Sequence, residues 1–189
     1  MTVVRLVMKV SMPSSEIPSD CLLLRVCECN FTWFVRTGLW HLRNLTKLKS
    51  LDIFSGRVTD TGCAHIAKIT SLESLELCGG GVGDLGCNLL ANLENLTSLN
   101  LSQNDRITNR GAAALATLTK LKALNLSNTR VTSAALRFFT GLTNLQSLAL
   151  YGCRGIDDGI GLDTLQSTLP EMSSPKRRCR RGRNRGFGE

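Results

Sequence analysis

The sequence predicts an α/β right-handed solenoid with a parallel inner sheet and short outer helices. Three observations predict it: an excess of leucine, a fixed interval between leucine segments, and a column of capping residues at the same interval. Of 32 Leu in 189 residues, 28 fall between Leu39 and Leu169. The segments Leu48-x-x-Leu51-x-Ile53, Leu72-x-x-Leu75-x-Leu77, Leu96-x-x-Leu99-x-Leu101, Leu121-x-x-Leu124-x-Leu126 and Leu145-x-x-Leu148-x-Leu150 recur at intervals of 24, 24, 25 and 24 residues. Three residues after each stands Gly56, Gly80, Asn104, Thr129 or Cys153. A β-branched residue follows (Val58, Val82, Ile107, Val131, Ile156), and two positions beyond it a short polar one: Asp60, Asp84, Asn109, Ser133 or Asp158.

Each element has a physical reason. Residues 1–20 read as a flexible leader. Residues 21–44 read as a degenerate first repeat, in which Leu24-x-x-Cys27-x-Cys29 stands 24 residues ahead of the first clear copy and Arg36 occupies the cap position. Over residues 45–170 the alternating Leu-x-Leu is a short strand with its Leu turned inward, and Asp, Asn or Ser caps a helix by accepting a backbone N–H. The inward faces of those helices are marked by Cys63, Ile66, Ile69; Cys87, Leu90, Leu93; Ala112, Leu115, Leu118; and Leu136, Phe139, Leu142. No coil buries its Leu face alone, so the coils stack. Residues 171–189 read as a disordered basic tail.

These copies resemble the leucine-rich-repeat family over residues 45–169. Val58-Thr59-Asp60-Thr61-Gly62 and Ile107-Thr108-Asn109-Arg110-Gly111 are similar to the cysteine-containing, ribonuclease-inhibitor-like repeats of F-box proteins, with plant F-box relatives the nearest likeness. The resemblance implies a substrate-holding surface of an SCF-type ubiquitin ligase, with ligase subunits as partners. Residues 1–36 lack the apolar helical pattern of an F-box, so a fragment or isoform of such a receptor is also open.

Composition narrows the function. Eight Cys are about half the density of a disulfide scaffold. Arg5 and Lys9 interrupt the apolar N-terminus, and no apolar run reaches the roughly 18 residues of a membrane span. An intracellular protein of cytoplasm or nucleus, away from membranes, is expected. Of the net charge of +8, residues 176–189 carry +6. That tail, Lys176, Arg177, Arg178, Arg180, Arg181, Arg183 and Arg185, reads as an import signal, an RNA-binding Arg/Gly arm or a solvated end.

Several motifs imitate chemistry. Gly81-Val82-Gly83-Asp84-Leu85-Gly86 has the spacing of a dinucleotide fingerprint, but Val82, Asp84 and Gly86 each fill a position of the repeat. Cys27-x-Cys29 and Cys63-x-His65 lack a converging set of four ligands, so no metal and no cofactor is expected. His41 and His65 are the only imidazoles, and no nucleophile, base and oxyanion set surrounds them, which excludes an enzyme from the expectation. Five N-x-S/T sequons, at Asn30, Asn44, Asn95, Asn100 and Asn125, follow from the repeat grammar.

A protein-interaction module therefore leads, binding a protein partner on the concave face of the sheet. Its outward strand positions supply the candidate residues Glu28, Asp52, Phe54, Glu76, Asn100, Asn125 and Tyr151. Glu28, Asp52 and Glu76 are expected in one row about 4.8 Å apart, an acidic strip for a basic partner segment with Phe54 beside it as an apolar anchor. The alternative is an RNA-binding or nuclear protein working through the tail.

Overall fold

A computed structural model describes residues 5–8, 23–26, 42, 45–53, 58–156, 163, 165 and 167–169. Seven strands form one parallel sheet in sequence order: β1 (Arg5–Met8), β2 (Leu23–Val26), β3 (Ser50–Ile53), β4 (Ser74–Glu76), β5 (Ser98–Asn100), β6 (Ala123–Asn125) and β7 (Ser147–Ala149). Between them the chain returns through α1 (Asp60–Ile66), α2 (Asp84–Leu90), α3 (Asn109–Leu115) and a 3-10 helix (Ser133–Gly141). The core lies between the two layers. Every inward helix residue named above, from Cys63 to Leu142, is at most 1% exposed, and each such Leu or Ile contributes about 1.5–3 kcal/mol by leaving water.

The first coils differ from the expectation. Arg5–Met8 is a strand within the expected flexible leader, pairing with Leu23–Val26. β2 pairs with β3 at an offset of 27 residues instead of 24: Leu24 with Leu51, Arg25 with Asp52, Val26 with Ile53. That register matches Leu24 and Val26, larger apolar residues than Cys27 and Cys29, to the apolar row of β3. The acidic row is corrected accordingly, because Arg25 and not Glu28 is registered with Asp52. Glu28, Phe54, the rest of the leader and the basic tail lie outside the described residues.

Capping also runs differently. Asp60 and Asp84 each cap the helix of the next coil instead of their own. Asp60 Oδ1 accepts hydrogen bonds from the Gly83 and Gly86 N–H groups at 2.7 and 2.9 Å, at the entrance of α2. Asp84 Oδ1 accepts from the Thr108 and Gly111 N–H groups at 2.8 and 2.9 Å at the entrance of α3, while its Oδ2 accepts from Thr108 Oγ1 at 2.7 Å. These are amide groups that a helix cannot satisfy internally, at its positive end. The close approach explains two glycines: a Cβ on Gly86 would lie 2.7 Å from Asp60 Oδ1, and one on Gly111 2.7 Å from Asp84 Oδ1.

The fourth helix tests that reasoning, since Ala135 stands where the earlier coils have Gly62, Gly86 and Gly111. Its methyl group occupies the approach. Asn109 Oδ1 reaches only the Thr132 N–H, at 2.9 Å, and the Ala135 N–H turns to Thr132 O at 2.9 Å. Residues 133–141 wind as a 3-10 helix, the tighter form in which each N–H bonds three residues back.

One further column escapes the sequence pattern, and one that the pattern marks finds its reason. Gly79, Gln103, Asn128 and Gly152, each three residues past a strand, have φ of +73, +62, +58 and +73°, a left-handed turn that side chains resist. Asn104, fully buried, donates from Nδ2 to Leu77 O and Leu101 O at 2.8 and 2.9 Å and accepts at Oδ1 from Val82 N–H at 3.1 Å. At the same position Thr129 Oγ1 donates to Leu126 O at 2.7 Å. At two of these positions, Asn104 and Thr129, the polar side chain thus ties the turn to strand carbonyls.

Cys63 and Cys87 are fully buried free thiols. Burial, with Asp60 adding, pushes the Cys63 thiol from 9.0 up to about 12. Burial, with Cys63 and Asp84 adding, raises Cys87 further.

Gly86→Ala is expected to lower stability by about 2 kcal/mol in denaturant unfolding, because overpacking and the lost cap outweigh roughly 1 kcal/mol of helix propensity. Gln103→Gly is expected to raise it by about 0.5–1 kcal/mol by relieving the left-handed turn. In the unfolded chain Cys63 ionises near its ordinary 9.0, and in the folded chain only near 12. Its neutral form therefore supports the fold below the lower value, and that support is lost as pH rises through the interval. Unfolding midpoints measured across that interval should fall less steeply in Cys63→Ala, and iodoacetamide should label Cys63 and Cys87 only at the rate of unfolding.

Candidate functional site

The face of the sheet turned away from the helices carries two rows in register. One is Ser50, Ser74, Ser98, Ala123, Ser147; the other is Asp52, Glu76, Asn100, Asn125, Ala149. Their residues alternate with the inward Leu of the same strands, so one pattern builds the core and the face together. All are partly or fully exposed, and all but Glu76 are small or medium in size. The result is a shallow polar surface crossed by strands about 4.8 Å apart.

The row members differ in what they are free to do. Glu76 is exposed, and its side chain makes no hydrogen bond or ion pair with another described residue. Beside it, the Lys49 ammonium pairs with the Glu73 carboxylate along the edge of the face. Asn100 and Asn125 are half-buried, and their Oδ1 atoms accept from the Ser102 and Ser127 N–H groups at 3.1 and 3.0 Å. They hold the turn out of β5 and β6 as well as lining the face.

The third outward position of each strand segment departs from expectation. Cys78, Ser102 and Ser127 are only 7–8% exposed. The strands end before them, and the left-handed turns at Gly79, Gln103 and Asn128 fold them against the neighbouring coil: Cys78 Sγ lies 3.2 Å from Ser102 Oγ. Tyr151 is the exception at 50% exposure, with no described strand beyond β7 to cover it.

Tyr151 instead borders a cavity of about 720 Å³ among the loops that follow β5, β6 and β7, lined by Asp105, Asn128, Arg130, Tyr151, Gly152 and Arg154 among others. The Arg130 guanidinium is 3.6 Å from the Asp105 carboxylate. Sequence reasoning singled out Tyr151 but neither arginine, because the two occupy the irregular loop position that the Leu period leaves unmarked.

The imitation motifs find other employment. In Gly81-Val82-Gly83-Asp84-Leu85-Gly86 the Gly83 and Gly86 N–H groups are taken by Asp60, so they are not available to a phosphate. Among the described residues no three His, Cys, Asp or Glu side chains gather where a metal could bind, and no helix is long and apolar enough to cross a membrane. Cys63 and Cys87 face the core with raised thiols, unsuited to nucleophilic chemistry.

Comparison with known proteins agrees with this geometry. Two leucine-rich-repeat family models match, one over residues 70–131 and one over residues 44–67. Internalin C2 of Listeria monocytogenes has a similar structure, with a TM-score of 0.59 and 24% identity over 82% of this chain and 60% of that one. An internalin F structure from the same organism gives 0.53 and 24% over 83% and 48%. The chain therefore spans between about half and three fifths of those proteins' length. No curated protein matches the sequence significantly. With the matched repeats lying on the stacked coils, and the fold shared with both internalin structures, residues 44–67 and 70–131 are leucine-rich repeats and the fold is a leucine-rich-repeat solenoid.

Proposed function

We propose that the chain is a protein-interaction module that binds a partner across the open face of its sheet. One observation carries the reading: two rows of mostly small, polar residues, unbroken from β3 to β7, stand in register on a rigid parallel sheet. Such a surface offers a continuous strip of hydrogen-bonding groups with little side-chain entropy to lose, which suits an extended protein segment. Leucine-rich-repeat solenoids are in general binding modules without catalytic groups, and no reacting set appears on this face among the described residues.

A finer reading is that the face holds substrates for an SCF-type ubiquitin ligase. It is supported by the likeness of Val58–Gly62 and Ile107–Gly111 to F-box-protein repeats, and co-purification of a ligase scaffold subunit with the full chain tests it. The charge of Lys176, Arg177, Arg178, Arg180, Arg181, Arg183 and Arg185 favours a second reading, nuclear or RNA-binding action through the tail. Salt-sensitive RNA binding lost on truncation after Pro175 would distinguish it.

Ser98→Arg and Ala149→Arg place a long charged side chain on the face without removing a hydrogen bond, whereas Asn88→Arg does the same on the exposed side of α2. Affinity for captured partners, measured by interferometry with the full chain, should fall tenfold or more for the first two and stay unchanged for the third. Equal binding by all three, with equal unfolding midpoints, would remove the sheet face as the site.

A further inference from the structure

The cavity bordered by Tyr151 differs in charge from the rest of the face. Glu76 is acidic while Asp52 is registered with Arg25 of β2, Asn100 and Asn125 are neutral, and among the described residues the loops that follow β5, β6 and β7 line the cavity with Arg130 and Arg154 against one acid, Asp105. Arg130 is 70% exposed, and its 3.6 Å contact with Asp105 is too long for a hydrogen bond. Arg154 is exposed and has no partner among the described residues. Each guanidinium carries five donors in a planar fork suited to a carboxylate.

The walls are fixed before any ligand arrives. The Asn128 N–H donates to Tyr151 O at 2.6 Å, the Tyr151 N–H to Ser127 Oγ at 3.1 Å, and the Arg130 N–H to Ile107 O at 2.9 Å. Gly152 lets the chain pass close to Asn128 in a left-handed turn, since a Cβ there would lie 2.1 Å from Asn128 Oδ1. The half-exposed Tyr151 ring supplies an apolar wall beside the two cations, without which the cavity would hold an anion by charge alone.

We infer that this cavity receives an acidic side chain of a bound protein segment, with Arg130 and Arg154 taking the carboxylate and the Tyr151 ring packing on the methylene groups behind it. The inference rests on the reading that the sheet face holds a protein partner, and it adds a direction. Glu76 lies three strand intervals from Ala149 of β7, about 14 Å, which an extended chain spans in roughly four residues. A partner segment with a basic residue near Glu76 and an acidic one about four residues further along matches both ends.

Tyr151 is the single tyrosine of the chain, so uniform incorporation of 3-fluorotyrosine gives one fluorine NMR signal, located at the cavity. The full chain is titrated with N-acetylated, C-amidated tetraglutamate and, in parallel, tetralysine. Tetraglutamate should shift the Tyr151 signal saturably and tetralysine should not. The Arg130→Gln/Arg154→Gln double variant should bind tetraglutamate roughly tenfold or more weakly, since charge-assisted hydrogen bonds are lost. Asp105→Asn should tighten it by removing the competing carboxylate. No saturable shift, a shift equally strong with tetralysine, or undiminished binding by the double variant at an unchanged unfolding midpoint would overturn the inference. The titration requires no natural partner and does not involve Ser98. A cavity that binds tetraglutamate while Ser98→Arg leaves partner binding intact would thus remove the sheet-face reading alone.

Discussion

A carboxylate at the start of one helix that satisfies the amides of the next is the interaction on which the rest of this solenoid depends. It sets the length of a coil, because Asp60 reaches Gly83 and Gly86 only if one turn of chain returns the helix entrance to the same height. It also selects the glycine column, since no side chain fits beneath the incoming oxygen. Asp84 repeats the arrangement toward Thr108 and Gly111. Stability built from such nearest-neighbour contacts is distributed along the stack, and each coil is held by the one before it.

Because the helices, caps and buried Leu carry the fold, the outward residues of the strands are released from structural duty to different degrees. Ser98 and Ala149 do nothing but face solvent, whereas Asn100 and Asn125 spend one side-chain oxygen on their own turns. Cys78, Ser102 and Ser127 have been drawn wholly into the structure. The usable surface is thus two residues wide on each strand until Tyr151, where a third position opens and the chemistry changes from amide and hydroxyl to aromatic ring and guanidinium.

Much of this was legible before any coordinate. A period of 24 or 25 residues in Leu is a statement about stacking, and β3 to β7 with their buried helix faces follow from it directly. What stayed hidden depends on comparing neighbours. The position of Asp60 is the same whether it caps its own helix or the next, so only geometry decides between them. Leu24 and Val26 compete with Cys27 and Cys29 for one register, and the contest is settled by which pair matches Leu51 and Ile53 across the sheet. The left-handed column of Gly79, Gln103, Asn128 and Gly152 mixes three residue types and leaves no compositional trace. Arg130 and Arg154 sit at a position that the repeat does not constrain, which is why sequence pattern passes over them and why they are free to serve a ligand.

The Ala135 coil bears on the shape of that surface. Strands in a sheet are separated by about 4.8 Å, but packed α-helices require about 8–10 Å between axes. A stack of equal coils can meet both demands only by bending, with the sheet on the inside of the arc. A 3-10 helix is slimmer than an α-helix and wedges its neighbours apart less. Where Ser133–Gly141 replaces an α-helix, that spacing demand is smaller, and less bending is required of β6 and β7 on the other side. The methyl group of Ala135, on the helix side, thus bears on how far the strands opposite it must bend.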